Sequence, residues 1–180
     1  MIRIFDIFLS ILSIVLFLPV LPFIFLAARL ETGSAIFKQL RVGKNQEPFF
    51  LYKFRSMKIN TPMRATHLTN KKNITKVGNF LRISQLDEIL QFYNVLNGNM
   101  SLVGPRPCLF NQKKLIIERK KRGVFKVRPG ITGLAQINGI TMKNPTLLAK
   151  TDLKMIKQMN LFNYFNYIFK TVLLILRKRS

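Results

Sequence analysis

Between Ile4 and Ala28 the chain is almost wholly apolar, broken only by Asp6, Ser10 and Ser13. A helix of that length reaches across a bilayer. Pro19 and Pro22 lie inside the run, and each removes a backbone donor and tends to kink a helix. Composition therefore leaves two arrangements open, a straight span and a bent helix that returns to the side it entered. Taken alone it favours the span, because ordinary spans tolerate proline. A cleaved leader fits poorly, since the basic start is only Arg3 and no small-x-small site closes the run before Arg29.

Beyond the apolar run the pattern changes period. Ile36 to Val42 and Glu47 to Met57 predict two strands around the turn Gly43-Lys44-Asn45. Residues 58–79 are polar and rich in Thr, Asn and Lys, which predicts a loop with room for a short helical piece. Leu86, Ile89, Leu90, Tyr93 and Leu96 recur at helical spacing, predicting a helix from about Ser84 to Leu96 with Asn97-Gly98 as its stop. A Lys- and Arg-rich helix over 111–122 reads as a solvated or lipid-facing surface. The last segment, Leu161 to Leu176, places Phe162, Phe165, Phe169, Val172, Leu173 and Leu176 on one stripe, with Asn163, Asn166 and Lys170 interrupting it. That pattern fits a helix lying at a membrane interface, and a buried core helix is the alternative.

Charge narrows the partners. Thirty Lys and Arg against seven Asp and Glu give a net charge of +23, which calls for an anionic partner: nucleic acid, an acidic membrane surface or a phosphorylated substrate. The apolar start and the lack of any recognisable nucleic-acid-binding module set nucleic acid aside. At 180 residues the chain suits one compact domain. A single cysteine, Cys108, excludes an internal disulfide and suits a reducing compartment. The lone His67 has no second His or Cys nearby and reads as a solvated loop residue rather than a zinc ligand.

Against this basic background the adjacent carboxylates Asp87 and Glu88 stand out. Surrounding positive charge favours their ionised form, suited to holding a divalent cation or attacking phosphorus. Ser84-x-x-Asp87 also matches a capping box, so Asp87 has a purely structural reading as well. Alternation puts Lys53 and Arg55 on one face of the second strand, either as a phosphate receptor or as a solvated edge. Arg106, between Pro105 and Pro107, is presented rigidly and loses little entropy on gripping a phosphate. Arg128, before Pro129-Gly130, is a second constrained arginine, and Gln136 and Asn138 add neutral hydrogen-bonding groups.

In order along the chain, Arg3-x-Phe5-Asp6, Phe37-x-Gln39-x-Arg41-x-Gly43, Tyr52-Lys53-Phe54-Arg55-Ser56-Met57, Arg82 through Glu88, Asn94 through Pro107 and Arg128 through Gly139 resemble the bacterial sugar transferases. The likeness is to their small monotopic phosphoglycosyl transferases and covers nearly the whole chain. It implies an α+β, mostly helical fold. Residues 1–30 would form a kinked, re-entrant membrane helix, reversing the topology that composition favours. Residues 31–180 would form a membrane-associated catalytic domain with a small β-hairpin and interfacial amphipathic helices around a cytosolic-face active site.

The resemblance further implies Asp87 as a nucleophile toward the β-phosphorus of a UDP-sugar, with Asp87 and Glu88 holding Mg²⁺. Lys53, Arg55, Arg82, Arg106, Arg128, Gln136 and Asp152 fall at polar active-site positions. The phosphosugar would pass through an aspartyl intermediate to undecaprenyl phosphate, releasing UMP, at the cytoplasmic face of a bacterial plasma membrane among anionic lipids. An N-acetylated amino-deoxy hexose is the expected sugar, with UDP-glucose or UDP-galactose, or an inactive homologue, as alternatives. Oligomeric state stays open, a homodimer included. Leu18, Asn99 and Ile140 depart from the family pattern, at the kink, in the stretch before Met100-Ser101 and after Gly139.

Overall fold

A computed structural model describes residues 1–59, 61 and 73–177; His67 and most of the polar stretch after Met57 lie outside the described residues. The apolar run forms two helices, α1 (Ile2–Phe17) and α2 (Leu21–Thr32), bent by 71°. The break falls at Pro19, whose ring and missing N–H stop α1, while Pro22 sits in the first turn of α2, where no donor is needed. Among the described residues no single helix is long and apolar enough to cross a membrane, although the bent pair together meets that length and composition.

α1 is inside out. Its polar residues Asp6 and Ser10 are buried, whereas Ile4, Phe8, Ile11, Leu12, Val15 and Leu16 are exposed. Asp6 Oδ1 accepts hydrogen bonds from Ser101 Oγ, the Leu102 N–H and the Tyr164 hydroxyl, each at 2.9 Å. Arg3 donates to the carbonyls of Leu96 and Met100. Ile2, Phe5 and Leu9 pack against a core of Phe49, Leu51, Val95, Met100, Leu102, Val103, Met155, Tyr164 and Tyr167. α1 is thus tied to the body of the protein through its polar side and presents hydrocarbon outward.

The hairpin forms as expected: β1 (Ile36–Val42) pairs antiparallel with β2 (Pro48–Phe54), Ile36 opposite Phe54 and Val42 opposite Pro48. β2 ends at Phe54, short of the expected Met57. The helix expected over Ser84–Leu96 is a different set of elements. α3 (Lys76–Ser84) begins inside the expected loop, with Thr75 Oγ1 capping the Gly78 N–H. Gln85 then takes a left-handed φ of 56°, a 3₁₀ turn covers Leu86–Glu88, and α4 (Gln91–Leu96) follows. Ser84 closes α3, its hydroxyl donating to the Phe80 and Leu81 carbonyls, so it caps no N-terminus and the capping reading of Asp87 falls away.

A second, unexpected strand pair is parallel: β3 (Ser101–Val103) beside β4 (Gly130–Thr132). Its closeness explains two glycines. A Cβ on Gly104 would lie 2.6 Å from the Arg128 carbonyl oxygen, and one on Gly130 would meet the Gly104 nitrogen. The helices α5 (Lys113–Lys121), α6 (Leu134–Ile137), α7 (Pro145–Lys157) and α8 (Leu161–Arg177) complete the fold. Phe162, Phe165, Phe169, Val172, Leu173 and Leu176 of α8 are exposed while Tyr164 and Tyr167 face the core, so α8 is amphipathic as expected and not a fully buried helix.

Candidate active site

The end of β2, the 3₁₀ turn at Leu86–Glu88 and the Gly104–Pro107 loop converge on one cavity of about 650 Å³. Asn94 of α4 registers the first two: its amide oxygen accepts from the Tyr52 N–H at 3.1 Å and its amide nitrogen donates to the Phe50 carbonyl at 2.7 Å. That contact sets Lys53 beside the turn. The left-handed Gln85 ends α3 there and directs both carboxylates toward the strand.

Glu88 Oε1 pairs with Lys53 Nζ and with Arg106 Nη2, the latter at 3.0 Å. Arg82 is steadied by its Nε donating to Ser56 Oγ at 2.9 Å. Lys53, Arg55, Arg82, Asp87, Glu88, Arg106 and Gln136 all line the cavity. Both amide atoms of Gln136 are buried there without a hydrogen-bond partner among the described residues. A donor and an acceptor at a cavity wall, without a protein partner among the described residues, are suited to a ligand that supplies both, such as a hydroxyl.

The two carboxylates differ electrostatically. Burial pushes the Asp87 carboxyl up to about 6; Lys53 opposes that shift, and the charge of Glu88 adds to it. Burial also raises Glu88, but the Lys53 and Arg106 cations outweigh it and hold Glu88 well below the usual carboxylate range. The basic composition therefore predicts Glu88 correctly and Asp87 incorrectly. Asp87 is only 8% exposed, and desolvation exceeds the nearby positive charge.

Two expected contacts lie elsewhere. Arg128 Nε donates to the Gly98 carbonyl at 2.7 Å, and the residue lines a separate pocket of about 310 Å³ with Arg3 and Lys126. It holds the turn after α4 and does not face Asp87. Asp152 is 1% exposed and paired with Arg119, away from the cavity. The sequence assigned no role to Gln39 and Arg41, which also line the cavity and bond to each other at 2.6 Å. Their i, i+2 spacing on β1 was the available signal. Arg119 had none, being one cation in a run of them.

Among the described residues no cluster of three or more His, Cys, Asp or Glu side chains forms a metal cage. Mg²⁺ does not require one, because it is commonly held by one or two carboxylates together with substrate phosphates. Asp87 and Glu88, adjacent hard-oxygen donors on a cavity wall, fit that mode.

The sequence pattern of the bacterial sugar transferases matches residues 1–178, and the chain belongs to that family. It is 42% identical over 178 residues to the UDP-glucose:undecaprenyl-phosphate glucose-1-phosphate transferase of Escherichia coli K12, covering 93% of this chain and 38% of that protein. It is 33% identical over 196 residues to the undecaprenyl-phosphate galactose phosphotransferase of Salmonella typhimurium, covering 98% of this chain and 40% of the relative. With the exopolysaccharide production protein PSS of Rhizobium leguminosarum it shares 38% identity over 155 residues, 80% of this chain and 76% of the relative. The chain thus spans about two-fifths of the length of the E. coli and Salmonella proteins.

Proposed function

We propose that this chain transfers the sugar 1-phosphate of a UDP-hexose to undecaprenyl phosphate, releasing UMP, through a phosphosugar carried on Asp87. The observation that supports the reading is the buried Asp87 carboxylate on the wall of a cavity shared with Glu88, Lys53, Arg82 and Arg106. With its carboxyl at about 6, Asp87 is mainly ionised at neutral pH yet poorly solvated, which suits a nucleophile.

One Asp87 oxygen attacks the β-phosphorus, the bond from that phosphorus to the bridging oxygen breaks, and UMP leaves with the bond's electron pair. An oxygen of undecaprenyl phosphate then attacks the same phosphorus, restoring the Asp87 carboxylate and giving the polyprenyl diphosphate sugar. Lys53 and Arg106 offset negative charge on the transferring group, and Arg82 adds a third cation. Mg²⁺ held by Asp87 and Glu88 would neutralise diphosphate charge. Gln136 offers its amide to the sugar or nucleotide. The names of the E. coli and Salmonella relatives favour glucose or galactose over an N-acetylated amino-deoxy sugar.

The bent α1–α2 pair is proposed to re-enter the cytoplasmic leaflet, because its outward face is apolar while its polar residues dock onto the catalytic body. Arg29, exposed in the last turn of α2, suits an anionic lipid headgroup. The reaction is tested by UMP release from a panel of UDP-sugars with Mg²⁺ and undecaprenyl phosphate in detergent. Release with one of the hexoses supports the reading, and no release with any donor opposes it.

A further inference from the structure

Asp152 Oδ2 accepts from both Nε, at 2.9 Å, and Nη2, at 2.7 Å, of Arg119. Both residues are buried, at 1% and 2% exposure. The remaining guanidinium nitrogen, Nη1, donates over 2.8 Å to the backbone carbonyl of Arg106. One residue further on, Arg41 Nη1 donates over 2.9 Å to the carbonyl of Pro107. Two guanidiniums thus hold consecutive carbonyls of the loop whose own arginine reaches Glu88 at 3.0 Å.

A buried ion pair contributes little net stability, since desolvating two charges offsets their attraction and a size-matched apolar pair often serves as well. Burial of the pair is therefore by itself weak evidence of a stabilising role. What an apolar pair lacks is a donor of fixed direction for the Arg106 carbonyl. Pro105 and Pro107 restrict rotation on either side, so the orientation of the peptide plane after Arg106 also sets the direction of its side chain.

We infer that Arg119 and Asp152 are positioning residues for Arg106. Asp152 clamps the Arg119 guanidinium, Arg119 holds the Arg106 carbonyl, and Arg106 is thereby aimed at Glu88 and at the diphosphate of bound donor. The inference rests on the proposed reaction for what Arg106 grips, and adds how the grip is set.

The test is a double-mutant cycle. Asp152→Asn is expected to lower kcat/KM for the UDP-sugar that the wild-type chain uses by roughly 10- to 100-fold, the scale of an ångström-level misplacement. In an Arg106→Lys background the same substitution should cost less than about twofold, because the group it positions is already lost. Where Arg106→Lys turnover falls below measurement, binding of UDP read by calorimetry runs the same cycle. The double variant Arg119→Met/Asp152→Leu guards against misfolding: it should melt near the wild-type temperature yet remain as slow as Asp152→Asn. Equal losses in both backgrounds, or wild-type activity in the apolar double variant, overturn the positioning role. A wild-type chain that neither binds UDP nor releases UMP instead contradicts the proposed reaction.

Discussion

The Tyr164 hydroxyl donates a 2.9 Å hydrogen bond to the Asp6 carboxylate, joining the first helix to the last across 158 positions of sequence. Ser101 and Leu102 donate to the same oxygen, so a single buried atom ties α1, β3 and α8 together. The apolar N-terminal pair is therefore fixed relative to the cavity and does not act as a loose anchor.

Removing that acceptor strands three donors. Asp6→Leu is expected to lose about 3 kcal/mol or more of stability, since each buried unsatisfied group costs about 1–3 kcal/mol. Tyr164→Phe removes one donor and leaves the carboxylate its other partners, so it should cost about 1 kcal/mol. Thermal unfolding of the detergent-solubilised protein gives both values. Equal melting of wild type and Asp6→Leu would remove Asp6 from this role.

Asp87 carries a stability cost that depends on pH. Its folded-state carboxyl, at about 6, lies above the ordinary value of 3.8, so folding favours the protonated form. That contribution is fully present below about pH 4 and is lost as pH rises through 6. Asp87→Asn, neutral at all pH, should thus melt a few degrees above wild type at pH 7.5, with the gap closing toward pH 4. A gap that stays constant between those limits would mean that Asp87 is not desolvated.

Lys53 lowers the Asp87 carboxyl and pairs with Glu88. Lys53→Met should slow turnover on the order of 100-fold, the scale for losing one oriented electrostatic partner. It should also move the acid limb of the kcat/KM profile to higher pH, because losing a neighbouring cation raises a carboxyl. A slower enzyme with an unmoved limb would separate Lys53 from the ionisation of Asp87.

The proposed re-entry would put both ends of the α1–α2 pair on the cytoplasmic side. In a Cys108→Ser background, Ile2→Cys and Arg29→Cys should each resist an impermeant thiol reagent added to intact cells and react once the cells are opened. Labelling of one site alone from outside would establish a span.

The hairpin was legible because its evidence is local: alternation on either side of a Gly-Lys-Asn turn. Pro19 and Pro22 leave a bend open, but composition alone favours a straight span, and the kink is implied only by the family resemblance. α3 escapes the pattern because, of its large apolar side chains, Val77 and Leu81 pack inward while Phe80 and Ile83 are exposed, which blurs the period in a stretch rich in Lys and Asn. A glutamine in the left-handed region leaves no compositional trace, so the break at Gln85 is not readable, and the helix predicted from Ser84 to Leu96 runs through what is a 3₁₀ turn followed by α4. The β3–β4 pair consists of three-residue strands brought together from distant parts of the chain, too short for a periodic signal. Charge counting placed cations around Asp87 correctly. It could not show that the residue is buried, and burial reverses the direction of its shift. Nor could it distinguish Arg119, buried and committed to Asp152, from its exposed neighbours in the same basic helix.

The most direct test of the account is the mass of the intact protein after incubation with Mg²⁺ and each of UDP-glucose, UDP-galactose and UDP-N-acetylated amino sugars, with no polyprenyl acceptor present. Wild type should gain one phosphosugar with the donor it uses, peptide mapping should locate the addition on Asp87, and undecaprenyl phosphate should discharge it. Asp87→Asn should remain folded, gain no mass and release no UMP, because a neutral amide is a very poor nucleophile. Substantial turnover by Asp87→Asn, or an adduct on any other residue, would contradict the assignment of Asp87.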